Sequence, residues 1–368
     1  MDLTANRAYQ ERILPHVSRT FALTIPQLPE PLRTAVVNAY LLCRIADTIE
    51  DEPAIGADET RTFLQRFSAA VTGVESPGPL AQDVARRLSD RTLPAERELV
   101  SNMEQVIEVT ASLGEQRAAI QRCIELMSHG MHQFQQGASL AGLPHSSDLD
   151  TYCYYVAGVV GEMLTELFCC YSPAIAAQRD SLRDLAASFA QGLQMTNILK
   201  DFWEDRSRGA CWLPQDLFTR HGVALAELTP ENADERFHAG MRELVAVAHG
   251  HLRNALTYTL LIPPRETGIR RFCLWAIGLA VLTLRKIAAN PQFTCGAQVK
   301  VSRTSVVLTQ LCTNAAVRDD QLLRFLFERA SRGLPSAAAL RPAVTTPEVQ
   351  PSPPHSSGPL RCDRSSAQ

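Results

Sequence analysis

The sequence predicts an all-α fold. Apolar residues recur at three- and four-residue steps over long stretches: Val36, Val37, Tyr40, Leu41 and Ile45; Phe189, Leu193, Ile198 and Phe202; Leu244, Val245, Ala248 and Leu252. That spacing lines one face of a helix of about 3.6 residues per turn. No train of alternating residues marks a strand, and no hairpin signal joins two of them. Prolines and capping residues fall at the ends of the periodic stretches, where helices stop and start.

The elements follow in order. Thr24-Ile25-Pro26 and Leu28-Pro29-Glu30-Pro31 break the chain ahead of the helix that carries Tyr40. Residues 137–147 read as a loop, with Asp148 as the N-cap of a helix through Tyr152. Pro263-Pro264 ends another helix. The longest apolar run, Phe272 to Leu284, has 13 residues between Arg271 and Arg285. A membrane span needs about 20, so no transmembrane helix is expected. The run is either a buried core helix or a hydrophobic lip in peripheral contact with a membrane. From Gly333 onward seven prolines alternate with Ser and Thr, a composition that buries too little apolar surface to order itself. One all-α domain over residues 5–332 is expected, with a disordered tail over 333–368 and no internal repeat.

The 368 residues are 45% hydrophobic and 20% charged, with a net charge of −3, the profile of an ordinary globular protein. A general nucleic-acid binder would be basic, so that class is excluded, though a local anion pocket is not. The ten cysteines include no CxxC pair, and Met1-Asp2-Leu3-Thr4 lacks the basic start and apolar run of a signal peptide. A reducing, cytoplasmic setting is expected. Nothing in the sequence reports an oligomeric state.

Two acidic helix faces carry the chemistry. Tyr40, Arg44, Asp47 and Asp51, with Glu50 alongside, share a broad stripe when each residue advances about 100°. Asn197, Asp201 and Asp205 follow i+4 steps on a second helix, with Glu204 beside them. Two carboxylates about 4 Å apart repel by roughly 4 kcal/mol at an effective dielectric of 20, so paired acidic faces in apolar segments call for a cation. Oxygen donors without His or Cys suit Mg²⁺, which takes one or two carboxylates and fills its other positions with water and phosphate oxygens. Ser18-Arg19-Thr20-Phe21 and Arg44 add donors for the same diphosphate.

These residues resemble the squalene/phytoene synthase family, the head-to-head trans-prenyltransferases. Asp47-Thr48-Ile49-Glu50-Asp51 matches the family's DxxxD, and the segment from Asn197 to Asp205 matches its NxxxDxxxD. Ser18-Arg19-Thr20-Phe21 resembles the SRxF motif, and Tyr152 to Gly161 the YCxYVAGxVG segment. The resemblance spans about residues 10–330 and implies a single isoprenoid-synthase helical bundle around a central cavity. Phe272-Cys273 and the basic segment Val299-Lys300-Val301-Ser302-Arg303 resemble the squalene-forming branch, where such a segment grips NADPH. The lack of the eukaryotic membrane anchor points to a bacterial, soluble or peripheral form. Departures touch the cofactor contacts: Ser302 stands where a second arginine is expected, Lys200 where an arginine is common, and Gly209-Ala210 replaces a Gly-Arg pair, with Arg208 nearby.

The resemblance implies that two farnesyl diphosphates condense to presqualene diphosphate, which NADPH then reduces to squalene. Products lacking the reductive step, or phytoene, are the alternatives. Asp47, Glu50, Asp51, Asn197, Asp201 and Asp205 would hold Mg²⁺, and Arg19 and Arg44 the departing diphosphate. Tyr152, or Tyr40, would pass on a proton. Ser18, Phe21, Gln194 and Phe272 would contact substrate, and Lys200, Asn197, Lys300 and Arg303 the cofactors.

Overall fold

A computed structural model describes residues 2–18, 20–135 and 139–336. Arg19 and the 337–368 stretch, which includes nearly all of the expected disordered tail, lie outside the described residues, as does part of the expected 137–147 loop. Among the described residues there is no strand, only an isolated bridge between Leu143 and Pro214. Helices follow one another from Leu3 to Ala330.

The long helices form a bundle. Leu32–Glu50 starts behind Pro31, as the proline cluster predicts, and packs on Met103–Ala111 and Gln116–Gln135. Arg179–Ser207 makes its broadest contact with Glu235–Leu261, and Thr267–Ala289 packs on both. Leu41, Leu42, Phe202 and Leu252 are among the side chains sealed into the common core, each worth about 1.5–3 kcal/mol on burial. Asp234 caps Glu235–Leu261 by accepting from the Arg236 and Phe237 amides, and the helix stops just before Pro263.

Two sequence expectations shift. Asp148 is not the N-cap of its helix. Ser146–Cys153 starts behind His145, and the Asp148 carboxylate reaches back to accept from the His145 N–H at 2.9 Å. This is the N3 half of a capping box, in which an acidic side chain accepts from the N-cap amide three residues earlier. The apolar run 272–284 is part of a longer helix, Thr267–Ala289, and that helix and the Ser146–Tyr171 stretch are long and apolar enough to cross a membrane. In each, 61% of the most apolar window is buried inside the protein. Arg270, wholly buried, donates to the Ile262, Val317 and Leu260 carbonyls and to Asp320, which makes Thr267–Ala289 a core helix of the bundle.

Close packing at Gly161 sets the site. A Cβ there would lie 2.3 Å from the Ala186 carbonyl oxygen, so only glycine lets Val159–Tyr171 rest on the backbone of Arg179–Ser207. A π-helical turn, Tyr154–Gly158, joins Val159–Tyr171 to the helix bearing Tyr152. Such turns re-aim side chains and recur at functional sites.

Candidate active site

The first acidic stripe ends its helix. Asp47 and Glu50 occupy the last turn of Leu32–Glu50, and Asp51 is its C-cap. Helix C-termini carry about half a negative charge, so carboxylates are disfavoured there. Burial pushes Asp47 up to about 7; Arg44 pulls it down, and Asp51 and Glu96 push it further up. Its side chain still opens 38% of its surface to solvent. Burial, then Asp51 and Asp47, hold Glu50 well above the carboxylate range. Burial also raises Asp51, against the pull of Arg208 and Arg44.

Arg44 is the stripe's own cation, yet it is shared. One Nη bonds Glu96, and the other lies 3.9 Å from Asp47. Sequence reasoning missed Glu96. Nothing in its spacing ties it to Arg44, 52 positions away.

The second stripe carries more balancing charge. Asp201 meets Lys200 Nζ at 3.0 Å, and Asp205 meets Arg208 at 2.5 Å. Burial still pushes Asp205 up to about 6, against Arg208 and with the push of Asp201 and Asp51. Asn197 is exposed one turn before Asp201. Glu204 Oε1 accepts from the Gly296 N–H at 2.8 Å, while its buried Oε2 has no hydrogen-bond partner among the described residues. A Cβ on Gly296 would come within 3.0 Å of Asp201 Oδ1. The Gly296–Val299 turn is thus clipped onto the acidic helix, and the Trp203 indole N–H adds a bond to the Phe293 carbonyl at 2.7 Å. Lys300 and Arg303 follow this turn, both exposed.

The two stripes converge. Asp51 raises Asp205 from across the bundle, and Arg208 feels Asp205, Asp51 and Asp201 together. Arg208, which the sequence shows only as a displaced family arginine, therefore sits between the stripes. Tyr152 lies in the same field. Burial lifts its hydroxyl well above the ordinary phenol range, and Glu50, Asp51 and Asp205 lift it further. Its ring stacks on Trp212 at 4.2 Å with only 4° between planes, and Phe134 meets it edge-on at 5.4 Å. Trp212 was not singled out from the sequence; a lone aromatic in a loop carries no periodic signal.

The remaining candidates separate. Ser18 Oγ accepts from the Phe21 N–H at 3.0 Å, and Phe21 packs on Tyr40 at 5.1 Å. The Tyr40 hydroxyl donates to the Val17 carbonyl at 3.0 Å, which commits its proton to the backbone. Gln194 is half-buried. Phe272 is buried edge-on against Phe168, in the core. Arg19 lies outside the described residues.

An all-α bundle that brings two carboxylate-bearing helix ends together around a buried tyrosine defines an isoprenoid-synthase type of protein. The profile of the squalene/phytoene synthase family matches residues 14–305, and the chain belongs to that family. A squalene synthase of Eremothecium gossypii is 30% identical over 293 residues, 77% of this chain and 62% of that protein. One of Nicotiana benthamiana is 30% identical over 312 residues, 83% of this chain and 70% of that protein. The chain thus spans less than two thirds of the Eremothecium relative. These two relatives are a fungal and a plant protein. Among solved structures, TcSQS with a bound ligand superposes with a TM-score of 0.68 at 23% identity, covering 89% of this chain and 98% of that one. The squalene synthase HpnC from Alicyclobacillus acidocaldarius gives 0.53 at 19%, covering 77% and 95%. At these identities the likeness concerns the fold.

The donor set fits a hard divalent cation. Among the described residues no three His, Cys, Asp or Glu side chains converge as a ready-made ligand cage. Mg²⁺ does not require one, because substrate phosphates and water complete its sphere. Asp47 and Asp205 are both held above the usual carboxylate range, and a bound divalent cation would bring them back down.

Proposed function

We propose that this chain joins two farnesyl diphosphates head to head to presqualene diphosphate and reduces that product to squalene with NADPH. The observation that carries the reading is the convergence of Asp51 and Asp205 on Arg208 and Tyr152. Family membership and the names of the relatives support the same chemistry.

Asp47, Glu50 and Asp51 on one side and Asn197, Asp201 and Asp205 on the other would hold Mg²⁺ by their oxygens. When bound, Mg²⁺ supplies Lewis-acid stabilisation of the leaving diphosphate, worth several kcal/mol, and NADPH supplies hydride for the second half. Arg208 and Arg44 orient the phosphates. An allylic cation would need apolar surroundings that exclude quenching water. Tyr152, fixed by Trp212 and Phe134, would pass the proton lost on ring closure to the departing diphosphate. Tyr40 serves as wall, its hydroxyl being engaged by Val17.

A second reading stops before reduction. Ser302, which replaces the expected arginine, is spent on capping Arg303–Ala316 by accepting from the Ser305 N–H. Incubation with farnesyl diphosphate and Mg²⁺, with and without NADPH, read by mass spectrometry, separates the two. Squalene only with NADPH supports the full reading. Presqualene diphosphate or dehydrosqualene regardless of NADPH leaves condensation alone. No product from farnesyl diphosphate, with phytoene from geranylgeranyl diphosphate, overturns the substrate.

A further inference from the structure

One surface outside the site stands apart in both apolar exposure and charge. Nine large apolar side chains are exposed among the described residues, and six of them gather here. Val307, Leu308 and Leu311 on Arg303–Ala316, and Phe325 on Asp320–Ala330, expose 53%, 59%, 63% and 60% of their surface. Leu322 adjoins Phe325 one turn earlier. Leu23 lines a small hollow with Trp275 and Val306, so it borders the same helix. Leu23 also shares the short helix Phe21–Thr24 with Phe21, which carries the patch to the edge of the proposed site. Isolated exposed leucines are ordinary; six of nine on two adjacent helices and the short helix beside them are not.

Beneath the patch runs an apolar groove of about 290 Å³ between Thr267–Ala289 and the two C-terminal helices, walled by Ile277, Val281, Leu308 and Phe327, with Arg285 and Arg329 on its lining. Beside it a hollow of about 420 Å³ carries Arg285, Lys286 and Arg332 and no acidic side chain.

The charge around this face is unbalanced for a chain of net charge −3. Arg285, Lys286, Arg303, Arg324, Arg329 and Arg332 form no ion pair among the described residues, whereas most arginines of the bundle do. The local acids are already used. Asp320 is taken by Arg270 and Glu328 by Arg253, both from the bundle, and Asp319 caps its own helix by accepting from the Gln321 and Leu322 amides. The cations share the apolar stripes: Arg303 precedes Val307 and Leu311 at i+4 steps, and Arg329 follows Phe325 by four. Apolar side chains fringed by unpaired cations match a headgroup layer with anionic lipid beneath them. A two-fold pairing with a second copy would set these cations against each other.

We propose that the face built by Arg303–Ala316 and Asp320–Ala330 docks on an anionic lipid bilayer, with the Arg285–Lys286–Arg332 hollow receiving a lipid phosphate. The inference rests on the proposed function only for its purpose, the passage of an apolar product into lipid. It also moves the membrane contact from the buried 272–284 run to the helices that cover it.

The test is co-sedimentation of the full chain with vesicles of phosphatidylcholine alone or mixed with phosphatidylglycerol, at low and high salt. The chain is expected to sediment with the mixed vesicles only and to be released by salt. Leu311→Asp with Phe325→Asp weakens binding about ten-fold or more. Arg329→Gln with Arg332→Gln, a change that spares the apolar face, weakens it roughly five-fold per residue. Condensation of farnesyl diphosphate in detergent is measured on the Leu311→Asp/Phe325→Asp chain and is expected to persist. A wild-type chain that stays in the supernatant with both vesicles overturns the proposal. So does unchanged binding by both double variants, or a dimer in analytical ultracentrifugation that Leu311→Asp dissolves without any vesicle binding. Failure of the wild type to condense farnesyl diphosphate while still sedimenting overturns the function and leaves the docking face standing.

Discussion

The two acidic stripes sit alike and are balanced differently. Both crowd toward helix C-termini, where the backbone already presents negative charge. The second stripe has Lys200 on Asp201 and Arg208 on Asp205. On the first, Arg44 is shared between Asp47 and Glu96, and Arg208 reaches Asp51 only through its longer-range charge. The carboxylates at 47, 50 and 51 are all raised, and Asp47 reaches about 7. The difference teaches that the chain's own side chains balance the second stripe more fully than the first, so the Mg²⁺ proposed for the site would matter more to the first. Arg208 couples them, because it feels carboxylates from both helices.

Replacing a first-stripe carboxylate is the strongest way to break this picture. Asp51→Asn is expected to lower kcat by about 10²–10³-fold, while the equivalent change at Asp201, already paired with Lys200, costs less. Equal losses measured by steady-state product formation would erase the asymmetry. Tyr152→Phe removes the hydroxyl but keeps the ring on Trp212, so kcat is expected to fall about 10²-fold with the fold intact by circular dichroism. Tyr40→Phe, which gives up only a bond to a backbone carbonyl, leaves kcat within a few-fold. Arg208→Ala is expected to raise the substrate KM about ten-fold and to push Asp205 further up, read as a shift of the acid limb of the pH profile toward higher pH.

The smallest effect concerns stability. Asp47 and Asp205 keep their protons in the folded chain up to about 7 and about 6, against an ordinary value of 3.8. Between 3.8 and those values the native state binds more protons than the unfolded one, so stability falls as pH rises through that window. A cation that neutralises them restores it. Mg²⁺ is therefore expected to raise Tm by about 2–4 °C more at about pH 8 than at about pH 5, measured by scanning calorimetry. Asp47→Asn is expected to raise Tm at neutral pH without metal and to erase most of the Mg²⁺ increment.

Much of this was legible from residue spacing. The i+4 steps of Asn197, Asp201 and Asp205 put them on one helix face, and the proline cluster before Leu32 set the start of the first acidic helix. Gly161 was visible as part of a motif, but its contact with the Ala186 carbonyl is a matter of three-dimensional approach. What stayed hidden are partners brought from far along the chain: Glu96 on Arg44, Trp212 on Tyr152, Gly296 on Glu204. Periodicity reports which face of a helix is apolar, and it is silent on which helix will meet that face. The same limit explains Phe272. The apolar run 272–284 is compatible with a core helix or a membrane lip, and packing against Phe168 decides that Phe272 is core.

The central claim is that the two stripes jointly hold a diphosphate through a divalent cation. Isothermal titration of the chain with an unreactive thiodiphosphate analogue of farnesyl diphosphate, with and without Mg²⁺, tests it without turnover. Binding that requires Mg²⁺ and is lost in both Asp51→Asn and Asp205→Asn is the expected result. Binding of equal strength without the metal, or retained when either carboxylate is removed, would contradict it.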